Sequence, residues 1–147
     1  MCKVHNLITR ILYWVYGFNK RRLRRIILKV VARLEGGQLR STTLRRIFSK
    51  YHDVHIGSYS YGGCFDPESL PPGTSVGRYC SFSQFKVLSR NHPTIWLSTH
   101  PFFFNPNLDV VLDDILPHTK LAIGNDVWIG YGAVIFYLLL EKMATEP

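Results

Sequence analysis

The chain has 147 residues, 46% of them hydrophobic, which is enough for one domain with a real core and excludes wholesale disorder. Its formal net charge of +8 is unevenly placed: residues 1–50 hold thirteen Lys and Arg with the single acid Glu35, a net of +12, and residues 51–147 hold five against nine, a net of −4. A basic head therefore sits on a mildly acidic body, and an anionic partner would meet the head.

Residues 7–18 are apolar, but Arg10 interrupts them and no small-residue cleavage site follows, so they do not read as a signal peptide. They are also too short to cross a bilayer, which takes roughly 20 apolar residues. Cys2, Cys64 and Cys80 show no CxxC and no Cys/His metal spacing, which points to free thiols in a reducing cytoplasm and to no metal site.

The pattern from residue 7 to about residue 50 is helical. In NKRRLRRIILKVVARL the apolar residues Leu23, Ile26, Ile27, Val30, Val31 and Leu34 recur at spacings of three and four, with arginines between them. Gly36 and Gly37 stop this helix, and a second, LRRIFSKY, follows Ser41-Thr42-Thr43. Two readings of the head compete. In one, a helical cap packs its apolar stripe on the body with the arginines in water. In the other, an amphipathic segment within residues 1–50 lies on an anionic membrane surface, with Tyr13, Trp14, Tyr16 and Phe18 at the interface. No RNA- or DNA-binding motif supports a nucleic-acid partner.

The body begins at Ile56 and keeps a six-residue rhythm. Leu70, Val76, Phe82 and Leu88 are spaced by six, as are Ile123, Ile129 and Ile135. The units read IGSYSY, VGRYCS, IGNDVW and IGYGAV, with glycine directly after the aliphatic residue. Such a period fits neither a helix of about 3.6 residues per turn nor a two-residue strand alternation. It fits a solenoid in which each unit makes one short flat face and then turns a corner, with the aliphatic side chains stacked inward. Three units close one triangular coil, and Cys80, at a small-residue position, is expected in the core. The rhythm stops at SRNHPTIWLSTHPFFF, residues 89–104, where two histidines stand among aromatics and prolines.

These hexapeptides, the stretch GGCFDPESLPPGTSVGRYCSFS, the NHP...STHPFF loop and the pair IGNDVWIG together resemble the xenobiotic and polysaccharide O-acetyltransferases, the group that holds the hexapeptide-class chloramphenicol and streptogramin acetyltransferases. The resemblance covers roughly residues 54–135. It implies a mainly β chain built as a left-handed parallel β-helix, an exception to right-handed crossovers. It also implies a homotrimer, acetyl-CoA as acetyl donor, and a hydroxyl-bearing acceptor, either a sugar or polysaccharide or an antibiotic. The expected division is a basic helical segment over residues 1–53 and a β-helix domain over residues 54–147, from which a loop at 89–120 protrudes.

In that family the loop carries the catalytic histidine, and the motif position here is His92, in Asn91-His92-Pro93. The chemistry asks for such a group, because a hydroxyl attacking a thioester near neutral pH needs a base to take its proton. Pro93 restricts the backbone of His92, which suits a side chain that must be aimed. Asn91, Trp96, Ser98, Thr99 and His100 are the expected acceptor-binding residues, with loop packing as the alternative for Trp96, Ser98, Thr99 and His100. Trp128 resembles the family tryptophan near the reactive end of CoA, with corner packing as its alternative. His5, His52, His55 and His118 have no supporting motif.

After Ile135 the chain reads FYLLLEKMATEP, with no hexapeptide position. The expectation is an incomplete β-helix that lacks coils of the CoA groove. Either it leaves an uncharged segment, residues 134–140, at an open stacking edge, or YLLLEKM folds as a short plug. Three functional readings follow: a cytoplasmic acetyltransferase, peripheral to the inner face of the membrane if the head binds lipid; a non-catalytic remnant; or a membrane-surface protein.

Overall fold

Three helices lead the chain: α1 (Cys2–Val15), α2 (Arg21–Leu34) and α3 (Thr42–His52). They are seen in a computed structural model that describes residues 2–18, 20–88, 98, 100–108, 110–111 and 120–136. Gly36 and Gly37 end α2 as expected, both with positive φ, where a side chain would be strained. Ser41 caps α3 by accepting a hydrogen bond from the Leu44 N–H at 3.1 Å, and Asp53 closes it in the left-handed region.

The buried stripe of α2 is narrower than the sequence pattern suggests. Ile27 and Val31 are buried, but Ile26 and Val30 are exposed, because only one turn-to-turn row of α2 faces the rest of the head. Tyr16, Ile27, Val31, Leu44, Ile47 and Phe48 are all almost wholly buried, and the Phe48 ring meets Phe65 edge to face with centroids 5.3 Å apart. That contact ties α3 to the segment that follows the first two strands.

Among the described residues eight short strands follow: β1 (Val54–Ile56), β2 (Tyr61–Gly62), β3 (Thr74–Val76), β4 (Ser81–Phe82), β5 (Phe85–Leu88), β6 (Ala122–Ile123), β7 (Trp128–Ile129) and β8 (Ala133–Phe136). They pair as β1-β3-β6, β2-β4-β7 and β5-β8. In the first two sheets every pairing is parallel, with Ile56 beside Val76 beside Ile123 and Gly62 beside Phe82 beside Ile129. Each pass of the chain thus lays one strand on the equivalent strand of the pass before. Of the two six-spaced series, Ile123, Ile129 and Ile135 are half-buried, and Leu70, Val76 and Phe82 are buried. Leu88 is not: it is 41% exposed, because Phe85 takes the inward position three residues after Phe82, and the two rings lie 5.4 Å apart.

Between the first two sheets the chain turns the same corner three times. Tyr59, Tyr79 and Asp126 all adopt φ near +60°, at 64°, 63° and 56°. Gly57, Gly77 and Gly124 stack one above another, and a Cβ on Gly57 would stand 2.5 Å from the Gly77 backbone. The corners are tied by Gly57 N–H to the Val76 carbonyl and Gly77 N–H to the Ile123 carbonyl, both at 2.8 Å. Residues 1–86 with 120–133 form one compact unit, and residues 87–119 with 134–147 form a second.

Candidate functional site

In the strand unit, β7 presents Trp128. Strand pairing sets its backbone opposite Ser81, with the Ser81 N–H donating to the Val127 carbonyl and the Ser83 N–H to the Ile129 carbonyl, both at 2.9 Å. The indole projects from this fixed backbone and is 79% exposed. Tyr131, three residues on, is equally exposed. The result is an aromatic surface whose backbone is anchored by the sheet.

The same unit shows what the cysteines do. Cys80 is fully buried, and its thiol points to the Gly124 carbonyl at 3.1 Å. At the equivalent corner before it, Ser60 plays the same part, donating from Oγ to the Gly77 carbonyl at 2.7 Å and accepting from the Cys80 N–H at 3.0 Å. A small side chain with a weak donor satisfies a buried glycine carbonyl in both places, so Cys80 is a core residue as expected. Burial pushes the Cys64 thiol up to about 12, with the Arg45 charge working in the opposite direction, so it is no nucleophile near neutral pH. Among the described residues no cluster of His, Cys, Asp and Glu is placed to hold a metal ion.

In the loop unit, Ser98 and His100 come together. The His100 N–H donates to Ser98 Oγ at 3.1 Å, and the Phe102 N–H donates to His100 Nδ1 at 3.3 Å. His100 thereby caps the short 3₁₀ helix Pro101–Phe103 and lays its ring 4.5 Å from that of Phe102. With Nδ1 accepting, the ring proton of the neutral imidazole sits on Nε2. These contacts fix the orientation of the ring. Asn91, His92, Trp96 and Thr99 lie outside the described residues.

Sequence reasoning missed several polar groups of the head. The Tyr16 hydroxyl and His52 Nε2 share a hydrogen bond of 2.6 Å. Burial, assisted by the Arg24 charge, holds His52 below the usual imidazole range, and burial raises Tyr16 to about 12 against the pull of Arg24. Burial also acts to raise Glu35, but hydrogen bonds from Ser41, Thr43 and Thr9 outweigh it and hold the carboxyl below its ordinary value. The signal for Glu35 was available, since it is the single acid among thirteen cations. Tyr59 and Tyr79, at equivalent corners, stack in parallel at 5.2 Å, and both follow the hexapeptide glycine by two residues.

Two curated proteins resemble the chain. The chain is 31% identical over 106 residues to a chloramphenicol acetyltransferase of Agrobacterium fabrum, a match covering 58% of this chain and 51% of the relative. The resemblance is to a chloramphenicol-type acetyltransferase. A second chloramphenicol acetyltransferase, from Morganella morganii, is 32% identical over 107 residues, with 58% and 51% covered. The chain spans about half the length of the curated relatives it matches. No family model matches it, and no solved structure matches it significantly.

Proposed function

We propose that this chain is an acetyl-CoA-dependent O-acetyltransferase acting on a hydroxyl of a sugar, a polysaccharide or an antibiotic. The observation that carries the reading is the similarity to two chloramphenicol acetyltransferases, together with parallel strands that follow the hexapeptide rhythm. In this reading the stacked strands are coils of a left-handed parallel β-helix, three copies assemble as a trimer, and the protein works in the cytoplasm.

Acetyl-CoA supplies the acetyl group as an activated thioester. The exposed, strand-anchored indole of Trp128 suits a flat wall beside the thioester end. Asn91, Trp96, Ser98 and Thr99 form the acceptor side of the loop, whose fold His100 supports as a cap. His92 takes the proton from the acceptor hydroxyl as the oxygen bonds to the acetyl carbon. It then gives that proton to the sulfur as the carbon–sulfur bond breaks, so no covalent enzyme intermediate is needed. Backbone N–H groups are the expected donors to the developing oxyanion.

The test is CoA release from acetyl-CoA with chloramphenicol and with a panel of sugars as acceptors, alongside calorimetric binding of acetyl-CoA. His92→Ala should slow release by roughly 10²–10⁴-fold without abolishing binding. Unchanged release would remove His92 from the mechanism. Failure of acetyl-CoA to bind the purified trimer would overturn the acetyltransferase reading.

A further inference from the structure

The outward face of α1 is the wrong kind of surface for a helix in water. Thr9 and Tyr16 are buried, with Leu12 and Tyr13 partly covered beside them. The opposite side carries Leu7, Ile11 and Trp14, with Ile8 at its border, at exposures of 59%, 54%, 64% and 38%; Phe18, just past the helix, is 66% exposed. At 3.6 residues per turn, Leu7, Ile11 and Trp14 fall within about 60° of one another. A surface helix ordinarily turns its charged side to solvent and its apolar side to the core. Here the solvent side is apolar over Leu7, Ile11 and Trp14, with Arg10 exposed at its edge.

Cations lie along the Trp14 edge of this face. Lys50 Nζ stands 4.3 Å over the Trp14 ring and 5.4 Å from that of Tyr13, and the Arg46 guanidinium lies 4.9 Å over Tyr13. Lys20, Arg21 and Arg22 follow in the chain, and all three are exposed. Against them stand Glu35, held by Ser41 and Thr43, and Glu68, paired with Arg21 at 2.5 Å. Among the described residues no helix is long and apolar enough to cross a membrane.

We infer that the outward face of α1 docks in the plane of an anionic lipid surface, with Leu7, Ile11, Trp14 and Phe18 entering the headgroup boundary and Lys50, Arg46 and the 20–22 cluster meeting lipid phosphates. An apolar stripe flanked by cations is the composition that lies in such an interface, with the aromatic rings at headgroup level. A second copy fits the face less well, since joining two heads of net charge +12 brings like charges together. Nucleic acid would use the cations but leave the apolar stripe exposed. The inference rests on the head alone and is independent of the acetyl-transfer reading.

The test is sedimentation of the full chain with phosphatidylcholine vesicles, with and without phosphatidylglycerol, and with brominated acyl chains in a Trp96→Phe/Trp128→Phe background. Binding should be roughly ten-fold tighter or more with phosphatidylglycerol, should weaken with salt, and should quench Trp14. Ile11→Glu/Trp14→Glu should abolish it, while Lys20→Glu/Arg22→Glu should weaken binding to the anionic vesicles alone. Ile11→Ser/Trp14→Ser serves if the glutamate pair fails to fold, with the same loss expected. The proposal is overturned by equal binding to both vesicle types, by binding that survives substitution of Ile11 and Trp14, by anionic-vesicle binding that Lys20→Glu/Arg22→Glu leaves unchanged, or by unquenched Trp14. A dimer that Ile11→Glu dissociates and that does not bind vesicles would also overturn it, assigning the face to a second copy.

Discussion

Removing the guanidinium of Arg45 should unfasten the helical head from the first strand corner. Its Nε donates to the Gly57 carbonyl at 3.1 Å, and Nη1 donates to those of Gln38 and Ser41 at 2.9 and 2.5 Å. Nη2 donates to the carbonyls of Leu39 and Ser60 at 3.2 and 3.1 Å, and the group lies 5.5 Å over the Phe65 ring. Five carbonyls, from the turn between α2 and α3 and from the corner after β1, converge on one side chain. A hydrogen bond to a charged group contributes about 1.5–3 kcal/mol, but these five share one cation that is only partly buried, so they do not add. Burial also works against the cation and pushes its pKa down. Arg45→Met keeps the stem and should cost about 3 kcal/mol, or about 6–12 °C in Tm for a chain of this size. Arg45→Lys should recover less than half of that, because a point charge on a flexible stem cannot serve both sides of the fork. The assay is urea unfolding at unchanged slope, with a thermal melt as the second measure. A melting temperature for Arg45→Met within about 2 °C of the parent, or full rescue by lysine, would refute the stapling argument.

Gly62→Ala should cost more than about 2 kcal/mol by urea midpoint, because φ is +92° and the Phe82 carbonyl lies where the Cβ would go; Gly124→Ala, with open space around it, should stay within about 1 kcal/mol. Cys64 and Cys80 should react with an aromatic disulfide reagent only after unfolding, since both are fully buried and burial raises the Cys64 thiol; labelling at native-state speed would contradict that placement. Because the folded-state pKa of His52 is depressed, its contribution should be fully present above the unfolded imidazole value of about 6.5 and be lost as pH falls through the lower folded value. His52→Gln should flatten the stability profile in that window, and an unchanged slope would show that another group titrates there.

The parts of this fold legible in the sequence are those where one physical requirement repeats. Ile56, Val76 and Ile123 line up in register, each followed by a glycine, and the stacked backbones leave no room for a Cβ on Gly57 or Gly77. Ser60 and Cys80 differ in sequence but meet one need, a small donor under a glycine carbonyl. Leu88 was misread because spacing alone cannot see Phe85 occupying the inward place first. The head was less legible for a related reason. Its apolar residues do recur at helical spacings, but α1 has apolar residues on both sides, so a pattern of types cannot say which side is buried.

The candidate site divides along the same line. His100 could be weighed from its Pro-Phe context, yet its actual task, accepting the Phe102 N–H while its own N–H reaches Ser98, depends on a turn that no residue pattern encodes. For Trp128 the sequence left two roles, and the indole stands 79% open on a paired strand. Leaving a large aromatic side chain in water forgoes about 1.5–3 kcal/mol of burial that a packed position would supply. A polar residue would serve as well at that strand position if stability were the requirement. Singly exposed aromatic residues are ordinary on protein surfaces, so binding, and not exposure, decides what rests against the indole. In the acetyl-transfer reading that is the thioester arm of CoA, and Trp128→Ala should weaken acetyl-CoA binding while leaving the melting temperature within about 2 °C of the parent. Loss of stability with unchanged binding would return Trp128 to a packing role and remove the observation from the functional argument.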